Sequence, residues 1–311
     1  SAASDVYKRQ NEDLSTGGIV GGVQNSCKFI GITLTDLEIY GAYTVGGLIG
    51  KSTNDINISN VKSESSGVYV YGGFETGGLV GNSQKGNEFA VKDSKIKINK
   101  VEFANLDKGT KTWFGVGGIA GSANIKTTIS NVQLTAYNKD SFIGSKKDNK
   151  PLATQTMNEG GLIGLSNEVC TIENTSVSVD VYGSNAGGFV GINKKQLSVN
   201  ENCYYGVTSD TSACGVYGYT SSGGMVGTQN AAVTISKSAV KNAMIGIPTA
   251  KNGDAGIGGY VGIKANGDLK ISDCEVNNVT LSAEDKSNGA GVGGVIGHNA
   301  VSYTHLRAHE T

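Results

Sequence analysis

The pattern Gly-Gly-apolar-apolar-Gly begins at Gly17, Gly46, Gly77, Gly117, Gly160, Gly187, Gly223, Gly258 and Gly293. Nine copies at intervals of 27 to 43 residues, averaging 34.5, mark one structural unit carrying connections of variable length. A unit this short cannot bury an apolar face alone, so its stability must come from stacking on its neighbours. The pattern is cleanest at Gly46, Gly47 and Gly50, at Gly77, Gly78 and Gly81, at Gly187, Gly188 and Gly191, and at Gly293, Gly294 and Gly297.

Further columns accompany the glycines. A polar pair follows the pentapeptide, as in Lys51-Ser52, Asn82-Ser83, Ser122-Ala123 and Thr228-Gln229, and reads as a turn. Alternating segments such as Ile56-Asn57-Ile58, Ile96-Lys97-Ile98 and Val233-Thr234-Ile235 read as strands with one apolar face. Asn60, Asn131, Asn174, Asn202 and Asp273 mark a second turn. A further strand then leads to the pairs Tyr40-Gly41, Tyr71-Gly72, Tyr182-Gly183 and Tyr217-Gly218. Three short strands and three turns per unit predict an all-β chain, a right-handed parallel β-solenoid of about eight or nine coils. The second apolar position of the pentapeptide, mostly Val or Ile, is expected to face inward. The first, which admits Phe189, Met225 and Tyr260, is expected to face the other side.

The two ends stand apart from this pattern. Residues 1–10 (SAASDVYKRQ) and 301–311 (VSYTHLRAHET) back-translate into sequences resembling the adapters of a sequencing library, which leaves residues 11–300 as the repeat region, cut at both ends. Without Lys8, Arg9 and Arg307 the 26 basic residues fall to 23, all lysine; without Asp5 and Glu310 the 27 acidic residues fall to 25. That balance recommends no nucleic-acid partner. Glycine supplies 47 residues and proline two, a turn-rich β composition. No apolar run approaches the roughly 20 residues that span a bilayer, so no membrane insertion is expected in this region.

The stretch VGGLIGKS at 45–52 imitates a phosphate-binding loop, but only three residues separate Gly46 from Gly50 and Val45 stands where a glycine is required. It is read as one copy of the repeat. The run of GGLIG (46–50), GGLVG (77–81), GGFVG (187–191) and GGVIG (293–297), with the turn Asn202-Cys203, resembles the GLUG-motif repeat. That resemblance implies a large bacterial surface or secreted protein, adhesin-like, or the non-catalytic region of an immunoglobulin-A-cleaving metallopeptidase. It brings no catalytic residue, metal or cofactor with it. The implied partner is a host or cell-surface glycan or protein, and the implied location is extracellular or the cell surface.

Few residues suggest chemistry. One histidine, His298, lies outside the adapter-like ends, which excludes a His-Glu-x-x-His zinc site within this region; it is assigned to the polar turn. Cys27 and Cys170 share one offset from their glycines and Cys203 and Cys274 another, so they are read as structural columns, with Cys203 and Cys214 the nearest pair for a disulfide. Asp93, Glu102, Asp180, Glu201 and Asp273 keep no common column, which weighs against a polysaccharide-cleaving β-helix, the alternative enzyme reading. Asn252-Gly253-Asp254 and Asn266-Gly267-Asp268 are turn signals before they are calcium sites. The candidate ligand-binding residues are aromatic and lie in the longer connections: Trp113 and Phe114 in 105–115, and Tyr204, Tyr205 and Tyr219 in 202–222. A third long connection, 137–159, is rich in lysine.

Overall fold

The computed structural model describes residues 14–103, 114–152, 157–207, 214–247, 255–283 and 291–300. Both adapter-like ends, Trp113 with most of the 105–115 connection, and Asn252 to Asp254 lie outside the described residues. Within those described there are 35 strands and no helix. Every pairing is parallel except a short antiparallel ribbon of Lys146–Lys147 with Lys150–Pro151.

Strands pair with their equivalents one unit away. Nine strands, Val20–Val23, Ile49–Ser52, Val80–Ser83, Ala120–Ala123, Ile163–Ser166, Val190–Asn193, Val226–Gln229, Val261–Lys264 and Ile296–Asn299, form one sheet in chain order. The leading glycine is likewise in register from unit to unit: Gly17 opposite Gly46, Gly46 opposite Gly77, and onward to Gly258 opposite Gly293. Apart from the short ribbon, the remaining strands belong to a larger parallel sheet, because long strands such as Phe89–Phe103 join what are separate short strands in other units.

The need for glycine in the pentapeptide is steric, since none of its positions has a positive φ. A Cβ on Gly46 would lie 2.0 Å from the carbonyl oxygen of Ile49 across the bend, and one on Gly81 would meet the backbone of Val45 and Gly50 in the preceding unit. The two sheets therefore meet backbone against backbone at this edge. The middle glycine forms a spine: a Cβ on Gly47 would strike the Gly78 carbonyl, one on Gly78 the Gly118 carbonyl, and so on to Gly259 against Gly294. At Gly294 the column ends, and a Cβ there would meet nothing within 4 Å.

Both apolar positions of the pentapeptide face the interior, which corrects the expected division of faces. Leu48, Leu79, Ile119, Leu162, Phe189, Met225 and Tyr260 are as buried as Ile49, Val80, Val190, Val226 and Val261. The reason is the bend at Gly47-Leu48, which breaks strand alternation so that two consecutive side chains turn inward. Tyr260 is accommodated because its hydroxyl has two carbonyl acceptors within reach of its single hydrogen, Ser238 at 3.0 Å and Glu275 at 2.8 Å. In the outermost described units the same column is uncovered, Ile19 at 52% and Val295 at 46% exposure.

Two further expectations are corrected. Lys51-Ser52 and its equivalents continue the strand after the bend, and His298 likewise lies in Ile296–Asn299, opposite Ile263. Ladder pairing carries the backbone past the last glycine, and the turn comes only after Ser52, whose hydroxyl donates to Asn54. The long connections are also largely sheet: Phe142–Gly144 pairs with Asp180–Gly187, and Tyr204–Gly206 pairs with Ser176–Ser178 and Ala239–Ile247.

Candidate functional site

A corner in left-handed backbone conformation recurs in successive units, at Asn60 (φ 54°), Asp93 (49°), Asn131 (55°), Asn174 (46°), Asn202 (55°), Lys237 (47°) and Asp273 (54°). Asp93 and Asp273 therefore do share a column, which corrects the expectation that the acids share none. Asn and Asp predominate because their short polar side chains tolerate this region better than others. Their side chains join along the column: Asn131 Nδ2 donates to Asp93 Oδ1 at 2.6 Å and Asn202 Nδ2 to Asn174 Oδ1 at 3.4 Å.

The next residue points inward and caps the corner. Ser94, Thr175 and Ser238 donate their hydroxyls to the carbonyl two residues back, at 2.7, 2.8 and 2.7 Å. Cys203 and Cys274 hold the same position, their thiols 3.1 Å from the carbonyls of Asn200 and Ser272. Cys27 and Cys170 share the other column, through Ile56, Phe89 and Thr127. The two columns read from equal offsets are thus present, and all five cysteines are free thiols.

One residue further, the side chain faces out. This column runs Lys62, Lys95, Gln133, Ser176, Tyr204, Ala239, Glu275. Tyr204 is half-buried and flanked by the small Ser176 and Ala239. It borders two shallow grooves, one of about 340 Å³ lined by Asp93, Lys95, Asn131, Gln133, Asn174 and Ser176. The other, of about 460 Å³, is lined by Asn202, Lys237, Ala239, Lys241, Asp273 and Glu275. Both lysines of the second are paired, Lys237 with Glu201 at 3.0 Å and Lys241 with Glu275 at 2.9 Å. Hydrogen bonds from Lys241 and Asn277 hold the Glu275 carboxyl below its ordinary range.

Tyr205 is not part of this surface. Alternation along the strand puts it on the opposite face from Tyr204, in the interior column Ile96, Leu134, Val177, Tyr205, Val240. It is fully buried, and its hydroxyl donates to the Val179 carbonyl at 3.0 Å. Tyr219 lies elsewhere, where the register between Gly183-Gly218 and Asn185-Ser221 slips and a β-bulge forms. The backbone of Phe114 opens the strand Phe114–Gly117 opposite Met157. Of the sequence candidates whose side chains are described, only Tyr204 borders the grooves.

Two features lie outside the candidate residues. The Tyr-Gly column builds an aromatic strip on the outside of the following strands. Tyr182 and Tyr217 stack with centroids 4.8 Å apart, Phe142 meets Tyr182 edge-on at 6.1 Å, and Lys146 Nζ lies 4.6 and 4.8 Å from the Phe142 and Tyr182 rings. Burial and the nearby Asp180 push the Tyr182 hydroxyl pKa up, and Phe142 and Tyr182 are themselves buried, so the strip is packed against itself. The second feature is Glu159, fully buried in an interior column between Val116 and Ala186. Its Oε2 accepts from the Ser184 amide at 2.9 Å, Oε1 has no partner, and burial holds the pKa well above the ordinary value. Gly183 makes room for it: a Cβ there would lie 1.7 Å from Oε2. The signal was present, since the residue before each Gly-Gly is otherwise Thr, Val, Ala, Ser or Ile.

Compared with protein-family models, residues 41–66 match the GLUG motif. No curated protein and no solved structure matches the chain. The matched span includes the pentapeptide at Gly46, the strand Ile56–Ser59 and the left-handed corner at Asn60.

Proposed function

Because the chain carries the GLUG motif, we propose that residues 11–300 form a non-catalytic repeat region of a secreted or cell-surface bacterial protein, a right-handed β-solenoid serving in adhesion or as a stalk. The observation that carries this reading is the unbroken unit-to-unit register of the glycine column from Gly17 to Gly293. An interior fixed by backbone contact and interior ladders leaves the outward residues free to vary, which is the property a display scaffold needs. A parallel pairing that always advances by one unit supports a solenoid, with strands spaced about 4.8 Å along its axis.

Two experiments test it. Small-angle scattering should give an elongated rod for the isolated chain; a compact sphere would refute the solenoid. Antibodies against the chain should label intact cells expressing the full-length open reading frame, and labelling only after lysis would refute the surface assignment.

A further inference from the structure

We propose that the two grooves meeting at Tyr204 form one binding site for a neutral polysaccharide chain, laid along the repeat axis with a sugar ring stacked on Tyr204. This deepens the surface-adhesion reading and rests on it.

Three observations select the ligand. The groove column from Lys95 to Glu275 takes five ladder steps, about 24 Å at the usual strand spacing, so the site is long and shallow. Its lining contains three lysines (Lys95, Lys237, Lys241) and three carboxylates (Asp93, Asp273, Glu275), which gives no net charge for a polyanion. The other lining groups are amides, hydroxyls and small side chains around a single aromatic ring. Hydroxyl-rich rings match that combination, because their polar edges take hydrogen bonds from amides while their C–H faces lie on an aromatic plane.

An extended peptide fits less well. The backbone under the grooves is already paired with the units on both sides, so no free strand edge is available for β-augmentation. The lining also lacks the apolar pockets that would hold alternate side chains.

The test is isothermal titration of the full chain with cellohexaose, mannohexaose, maltohexaose and xylohexaose, beside a heparin oligosaccharide and an extended peptide. Saturable binding of at least one neutral hexaose is expected, with Tyr204→Ala weakening it about tenfold or more and Tyr204→Phe staying within about twofold. Tyr40→Ala, which removes an exposed tyrosine outside the grooves, should leave affinity unchanged. Binding of heparin or peptide alone, no binding of any neutral hexaose, unchanged affinity in Tyr204→Ala, or loss in Tyr40→Ala would each overturn the site. Surface labelling of intact cells is independent of these outcomes, so failure of the groove and failure of the surface reading can be told apart.

Discussion

The same substitution at the same motif position should have opposite effects at two places in this chain. In Gly78→Ala the new Cβ would start 2.1 Å from the Gly118 carbonyl oxygen, whereas real Cβ contacts essentially never fall below 3.0 Å. The unit boundary must open by the difference, at least 0.9 Å. Of the hydrogen bonds that cross that boundary, the two nearest the substitution, from Gly78 N to Gly117 O at 3.0 Å and from Leu79 N to Ile119 O at 3.1 Å, would both be stretched beyond bonding distance. Losing them costs about 1 kcal/mol each, and the overpacking adds about 1–3 kcal/mol. The net destabilisation is therefore about 3 kcal/mol or more. In Gly294→Ala the Cβ enters open space, and the lower entropy of the unfolded chain should stabilise by about 0.4–1 kcal/mol. Urea unfolding followed by circular dichroism, with limited proteolysis to locate the opened boundary, measures both. A silent Gly78→Ala, or a Gly294→Ala as damaging as its counterpart, would refute the account of the glycine spine.

Three other outcomes follow from particular residues. Burial holds the folded pKa of Glu159 above its unfolded one, so its contribution to stability should fall as pH rises from about 4.3 toward the folded pKa, then level off. Glu159→Gln should make that decline shallower in unfolding curves taken across pH, leaving the part that comes from Glu75 and Asp180, whose carboxyls burial also pushes up, and a decline as steep as the wild type's would exclude Glu159 as a source. Lys237 occupies a left-handed corner that its neighbours fill with Asn or Asp, and its ion pair with the exposed Glu201 contributes little, so Lys237→Asn should raise stability by about 0.5–1 kcal/mol in urea titrations. Burial raises the Cys170 thiol pKa to about 12 and that of Cys203 to about 11, so an aromatic disulfide reagent at pH 8 should leave both unmodified until the chain is unfolded, as read by mass spectrometry.

The repeat and its strands were legible because glycine is required wherever backbone approaches backbone, and that demand repeats with the unit. The cysteine columns were legible for the same reason: offset from the glycines is position in the ladder. What failed was inference across the bend, where Leu48 and Ile49 both turn inward although strand alternation separates such neighbours. Tyr204 and Tyr205 were grouped by adjacency, yet the two-residue period of a strand sends them to opposite faces, one to the groove and one to the core. Lys237 and Glu201, the latter also left-handed at φ 53°, gave no sign of their backbone conformation, because the ladder imposes it from neighbouring units rather than from their own preference.

Parallel ladders that run from one unit to the next set how the chain would bear a load. Tension applied between its two ends crosses every unit boundary in turn, so the boundaries act as links in series and the weakest yields first. Each yielding unit would pay out 27 to 43 residues, roughly 90–150 Å of extended chain, before the next boundary takes the strain. The uneven connections that interrupt the repeat would thus appear as uneven steps in a force–extension trace.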